Sequence, residues 1–177
     1  APNNHIFFSI ITNFINTIGL FNEKIVLRLP SVLFSLIFII SMGIFLLKLI
    51  PNKLIVISNI IVCMCLYPYQ LYSIQGRGYM IYMFFSLICF ISIYGYLINS
   101  KHKWFFLKVF IVGNILGMYT IPSFLYSSFS LFLWGFIVLL KKRDLLTLKY
   151  LIYGGAIYCI TTIILYLPVI FVSGLSA

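Results

Sequence analysis

Long runs of Ile, Leu, Phe and Tyr, broken only by short clusters of charge, dominate this chain and limit what it can fold into. Hydrophobic residues are 63% and charged residues 8% of its 177 residues, against about 45 to 50% and about 25% in a soluble domain. A water-soluble fold of this length has no interior large enough for the surplus, so apolar side chains must face lipid. The expectation is an all-α, polytopic membrane bundle of about six transmembrane helices with one amphipathic juxtamembrane helix, together forming a single domain.

The juxtamembrane helix is expected over residues 1–22. There His5, Ser9, Thr12, Asn13, Asn16 and Thr17 recur at steps of three and four among Ile and Phe, one polar stripe on an apolar cylinder. That stripe is too polar to cross lipid comfortably, and an interfacial helix with the stripe turned to water or protein fits it best; a poorly formed first span is the alternative. Arg28-Leu29-Pro30 then opens a clean run, giving a first span at 31–50 with Pro51 behind it. Leu54 to Ile98 is about 45 residues, roughly 68 Å as one helix and more than twice a hydrocarbon core of about 30 Å. It must turn back once, and Gln70 to Tyr79 holds the polarity and the two glycines needed, which predicts spans at 54–72 and 79–98. The same arithmetic divides Trp104 to Leu140 at Tyr119-Thr120-Ile121-Pro122-Ser123 into spans at 104–121 and 122–140. A last span is expected at 145–172, bent near Gly154-Gly155 or Pro168. Because residue 1 is Ala and the sequence stops just after an apolar run, the chain is expected to be an internal piece of a longer protein.

Orientation follows from Lys and Arg. Lys48, Lys53, Lys101, Lys103, Lys108, Lys141, Lys142, Arg143 and Lys149 fall in alternate loops on one side, while Lys24, Arg28 and Arg77 fall on the other. Nine against three places the first group in the cytoplasm of a multi-pass cell-membrane protein, a bacterial plasma membrane being the expected setting, with residues 1–29 and the carboxy end outside. The net charge of +10 is thus a topology signal, and no continuous basic face points to nucleic acid. Cys63, Cys65, Cys89 and Cys159 fall inside expected spans and read as buried free thiols, because Cys63 and Cys65 point to different helix faces and no His or Asp stands near. Gly113 and Gly117 form a small-residue pair suited to close helix contact. The only carboxylates, Glu23 and Asp144, are expected on opposite sides and so form no catalytic pair.

What remains is a set of polar groups on the outward side: Asn3, Asn4, His5, Arg28, Gln70, Gln75, Arg77 and Tyr79. Arg77 is the one charge in its loop, and its glycine neighbours let backbone approach another group closely. Its planar donor fork suits a phosphate; a snorkelling interface residue is the other reading.

The segments Pro2-Asn3-Asn4-His5, Arg28-Leu29-Pro30-Ser31 and Tyr72-Ser73-Ile74-Gln75-Gly76-Arg77-Gly78-Tyr79, in that order, resemble polyprenyl-phosphate-sugar-dependent glycosyltransferases of the C-type fold. Bacterial relatives of protein O-mannosyltransferases and of the lipid A aminoarabinose transferase are the nearest likeness, which extends to Tyr119-Thr120-Ile121-Pro122-Ser123 and Leu167-Pro168. The resemblance implies an inverting transferase that takes a sugar from a polyprenyl-phosphate carrier in the membrane lipid and passes it to an acceptor on the outer side. It implies a catalytic Asp ahead of Ala1, so that no catalytic residue is expected within this chain. A cationic rim for the departing lipid phosphate is what these residues can offer, with Arg77 leading, His5, Asn3 and Asn4 adding hydrogen bonds, Tyr79 packing on the same rim, and Arg28 a weaker member. Asn3-Asn4 stands where many relatives carry a proline pair, which leaves the substrate open. Sugar, acceptor and any cofactor are not read from the residues, a divalent metal in the whole enzyme included. A transporter or flippase of lipid-linked saccharides, or a non-catalytic membrane scaffold, are alternatives; the first should line a membrane-crossing path with polar groups, and interior ones are sparse.

Overall fold

The computed structural model describes residues 5–19, 22–98 and 101–173, and within these the chain is all helix: α1 (Ile6–Ile18), α2 (Glu23–Leu49), α3 (Lys53–Cys65), α4 (Tyr67–Ile74), α5 (Tyr79–Ile98), α6 (Lys103–Thr120), α7 (Phe124–Lys141) and α8 (Leu145–Ser173). Two of the starts are set by asparagine caps. The Asn22 and Asn52 side chains accept the backbone N–H groups of Lys24 and Leu54, satisfying donors that a helix start leaves over. Asp144 does the same for α8, accepting from the Thr147 amide at 3.1 Å.

Helix α5 is the axis of the bundle. Met80, Ile81, Cys89 and Ile93 along it are fully buried, and α2, α6 and α7 surround it. Paired contacts fix directions. Gly78 meets Thr120 at one end and Gly95 meets Phe106 at the other, so α6 runs antiparallel to the whole of α5. Phe34 packs on Phe84 and Phe45 on Tyr94, which makes α2 parallel to α5. Tyr82 bonds Ser127 while Gly135 touches Ile93, so α7 is parallel to α5 as well. Lys103 bonds Thr147 and Tyr166 donates to the Met118 carbonyl, aligning α8 with α6. The expected glycine pair is used: Gly113 lies against the Cys89 sulfur and Gly117 against the Phe124 ring.

Four helices are long and apolar enough to cross a membrane, namely Glu23–Leu49, Tyr79–Ile98, Phe124–Lys141 and Leu145–Pro168, and a fifth crossing is added if the bent pair α3–α4 counts as one. The expected count of about six is therefore not reached on length and composition. Helix α6 carries Lys103, Lys108 and a buried Asn114 within its 18 residues, which dilutes its apolar character. Helix α1, at 13 residues, is about 20 Å long and too short to cross. Outwardly the helices expose Leu36, Ile40, Ile61, Phe129, Ile160 and many similar side chains, the pattern of a lipid-facing surface.

Several boundaries differ from expectation. The helix that holds the expected span 31–50 begins earlier, at Glu23, because Asn22 caps it and Pro30 is accommodated inside the helix. The single helix expected over 54–72 is two helices bent by 63° at Leu66, where Pro68 starts α4 in the first turn that a proline tolerates. Helix α8 runs through Gly154, Gly155 and Pro168 without interruption. Of the four free cysteines only Cys89 is buried; Cys65 and Cys159 are exposed.

The helix directions gather residues 28–31, 75–79, 120–124 and the end of α8 at one end of the bundle, and residues 48–53, 101–103 and 141–149 at the other. Charge separates in the same way. Lys103 pairs with Asp144 at 3.2 Å and Lys142 donates to the Leu97 carbonyl, where a cation complements the end of α5.

Candidate functional site at the end of the bundle away from the basic loops

The turn between α4 and α5, residues 75–78, is the centre of the candidate site. It begins where α4 stops and the Arg77 amide donates to the Gln75 carbonyl at 2.7 Å, a tight three-residue turn. Its position is fixed from α2. The Ser31 hydroxyl, fully buried, is shared between the Gln75 carbonyl at 2.7 Å and the Arg77 carbonyl at 3.1 Å. Both glycines are needed for closeness. A Cβ on Gly76 would stand 3.0 Å from the Leu27 carbonyl oxygen, and one on Gly78 would stand 2.8 Å from the Thr120 methyl and 3.2 Å from His5 Nδ1. The turn is thus clamped between α2, the end of α6 and the start of α1.

Three expected site residues come together here. His5, half-buried at the entry to α1, sets its ring edge-on to Tyr79 with centroids 5.4 Å apart. Tyr79, the first residue of α5, stacks on its other side against Tyr72 of α4 at 4.8 Å. Arg77 is exposed and makes no ion pair with either carboxylate of the chain. Its charge is felt by His5 all the same: burial first, and the Arg77 guanidinium second, hold the imidazole below its ordinary value of 6.5. At neutral pH the cluster therefore presents one permanent cation, a neutral imidazole and an aromatic wall.

Other expected members are placed differently. Arg28 is exposed on α2 and lines a shallow groove with Lys24, Ile25, Leu29 and Val32 rather than the His5 and Tyr79 cluster. Gln70 is exposed on α4, and the Gln75 contribution shown is its backbone carbonyl. Asn3 and Asn4 lie outside the described residues. Glu23 is the exposed first residue of α2, and Asp144 caps α8 at the opposite end, where bonds from the Thr147 hydroxyl and amide, and then Lys103, hold its carboxyl below the usual range. The carboxylates are at opposite ends of the bundle, as charge spacing suggested. No group of three or more His, Cys, Asp or Glu among the described residues could hold a metal ion.

Sequence reasoning missed the supporting residues. Ser31 was visible only as the last letter of Arg-Leu-Pro-Ser, and Thr120 and Tyr72 carried no signal beyond their presence in polar turns. Chemically the arrangement can receive an anion at Arg77, with a tyrosine face and an apolar surround on which a lipid chain can lie.

No family model matches this chain, and neither a curated protein nor a solved structure matches it. What fold and composition define is a coarse class, an all-helical chain with four helices long and apolar enough to cross a membrane, compatible with a multi-pass membrane protein.

Proposed function

We propose that this chain belongs to a membrane glycosyltransferase that draws its sugar from a polyprenyl-phosphate carrier, and that the 75–79 turn holds the carrier's phosphate on the outer side of the membrane. The observation that carries the reading is the Gly76-Arg77-Gly78 turn, which presents an unpaired guanidinium beside His5 and Tyr79 at the end opposite the nine-cation loops. Such a turn supports departure of a lipid phosphate, since a positioned cation stabilises the charge that grows as the glycosidic bond breaks. Glu23 and Asp144 stand at opposite ends of the bundle and so form no acid–base pair at this rim, and the part of the chemistry proposed for this chain is holding the phosphate.

The reading favours six crossings. Helix α6 runs along α5 from Gly95–Phe106 to Gly78–Thr120, so if α5 spans the bilayer α6 does too, and the bent pair α3–α4 returns the chain between α2 and α5. The positive-inside rule then assigns the nine-cation end to the cytoplasm.

The test is titration of a polyprenyl phosphate onto the chain in lipid nanodiscs. Hydrogen bonds to charged groups contribute about 1.5 to 3 kcal/mol, so Arg77→Ala should weaken binding by about ten- to over a hundredfold. Arg77→Lys should recover only part of it, because a point charge replaces a planar fork. Wild-type affinity in Arg77→Ala would refute the assignment.

A further inference from the structure

A groove lies at the basic end, far from the 75–79 turn. Its volume is about 530 Å³, within the range of about 300 to 1,000 Å³ typical of small-molecule sites, and its walls come from α2, α5 and α6. Ser41, Ile44 and Lys48 form one wall at steps of three and four along α2, and Ile91, Tyr94 and Ile98 form the facing wall along α5. Because α2 and α5 are parallel, with Phe45 set edge-on against Tyr94 at 5.7 Å, the two stripes enclose a slot about 10 Å long that follows the helix axes. Its base is the Phe106 ring, which packs where a Cβ on residue 95 would stand 2.6 Å away, so Gly95 gives the slot its depth. The lining is mostly apolar, with Ser41 and Tyr94 its uncharged polar side chains, and its one charge stands at the basic end. There Lys48, exposed in the last turn of α2, makes no ion pair with a described carboxylate.

We infer that this slot is a binding site for an anionic phospholipid of the surrounding bilayer, one acyl chain lying between α2 and α5 and the headgroup phosphate resting on Lys48. The occupant follows from shape and charge. A slot along the helix axes with a cation at its membrane-surface end matches an acyl chain that hangs from a phosphate. The choice of a lipid rests on Lys48, whose cation at the end of the slot can meet a headgroup phosphate. Further positive residues at the same end, Lys53, Lys101 and Lys142 among them, reinforce the preference for an anion, as basic clusters beside membrane helices do. The inference is independent of sugar transfer and of the 75–79 turn.

Native mass spectrometry of the chain released from nanodiscs of equal phosphatidylglycerol and phosphatidylcholine content tests it. The wild type should retain phosphatidylglycerol in preference, and Lys48→Gln should lower that preference about fivefold, as expected for one basic residue near a membrane surface, while Lys48→Arg should keep it. Ile44→Trp, at an exposed groove position, should reduce retained lipid of both headgroups by filling the slot. Lys149→Gln is the control, because Lys149 lies outside the groove over the Tyr153 ring, and it should leave the preference unchanged. Equal retention of the two lipids by the wild type would overturn the inference, as would an equal loss with Lys149→Gln, which would mean general surface charge. A second copy of the chain bound across this face, released by Ile44→Trp, would also overturn it.

Discussion

Removing one hydroxyl on α2 should loosen a turn more than forty residues away. The fully buried Ser31 donates to the carbonyls of Gln75 and Arg77, and Ser31→Ala leaves both oxygens without that donor in a partly buried place. A hydrogen bond contributes a net amount of about 0.5 to 1.5 kcal/mol, and an unsatisfied buried group costs about 1 to 3 kcal/mol. Since the site is only partly closed, about 1 to 2 kcal/mol is the fitting range, a factor of about five to thirty in the opening equilibrium of the turn. Hydrogen–deuterium exchange of a peptide covering residues 75–79, measured in micelles, should accelerate by that factor. Ser35→Ala supplies the comparison, because the Ser35 hydroxyl donates to the Val32 carbonyl of its own helix, and Tyr69 of α4 donates to the Ser35 backbone carbonyl, which the substitution keeps. That variant should leave exchange at 75–79 unchanged. Unaltered exchange in Ser31→Ala, or equal acceleration in both variants, would refute the claim that Ser31 fastens the turn.

Protonation of His5 should be visible both in binding and in folding. With a phosphodiester ligand, whose charge does not vary over the range, affinity should rise as pH falls below 6.5 through the lowered pKa of His5, because an imidazolium then joins Arg77. The folded chain takes up this proton at lower pH than the unfolded chain does, so the His5 contribution to stability is complete above 6.5 and declines below it; titrations and thermal melts of His5→Gln should lack both effects. Single cysteines at Gln75 and at Lys142, in a background without Cys63, Cys65, Cys89 and Cys159, should label from opposite sides of the membrane, and labelling of both from one side would contradict the separation of the two ends.

The helical class and the separation of charge were legible because they depend on composition and spacing alone. The turn at Ile121–Ser123 was found for a similar reason, since a proline between two apolar runs too long for one helix leaves little choice. The 63° bend at Leu66 was not found. Tyr67-Pro68 is the local signal for it, but the glycines and polar groups of Gln70 to Tyr79 are a stronger one, and the chain uses both, bending at the first and turning at the second. Pro168 lies within the long helix α8, inside the span expected at 145–172. At the site, His5, Arg77 and Tyr79 were legible as polar or charged groups in otherwise apolar surroundings. The residues that assemble them were not, because the role of Ser31, Thr120 and Tyr72 depends on a neighbour from another helix. Arg28 shared the chemistry of Arg77 and lacked the neighbours, a distinction that only packing makes.

The central claim is that the 75–79 turn receives a lipid phosphate, and photolabelling tests it most directly. A polyprenyl phosphate bearing a diazirine close to the phosphate, activated on the chain in nanodiscs and mapped by peptide sequencing, should mark His5 and residues 72–79, and excess unlabelled polyprenyl phosphate should suppress the marks. Label confined to residues 48–53, 101–103 and 141–149, or spread along the lipid-facing helices without competition, would contradict the account.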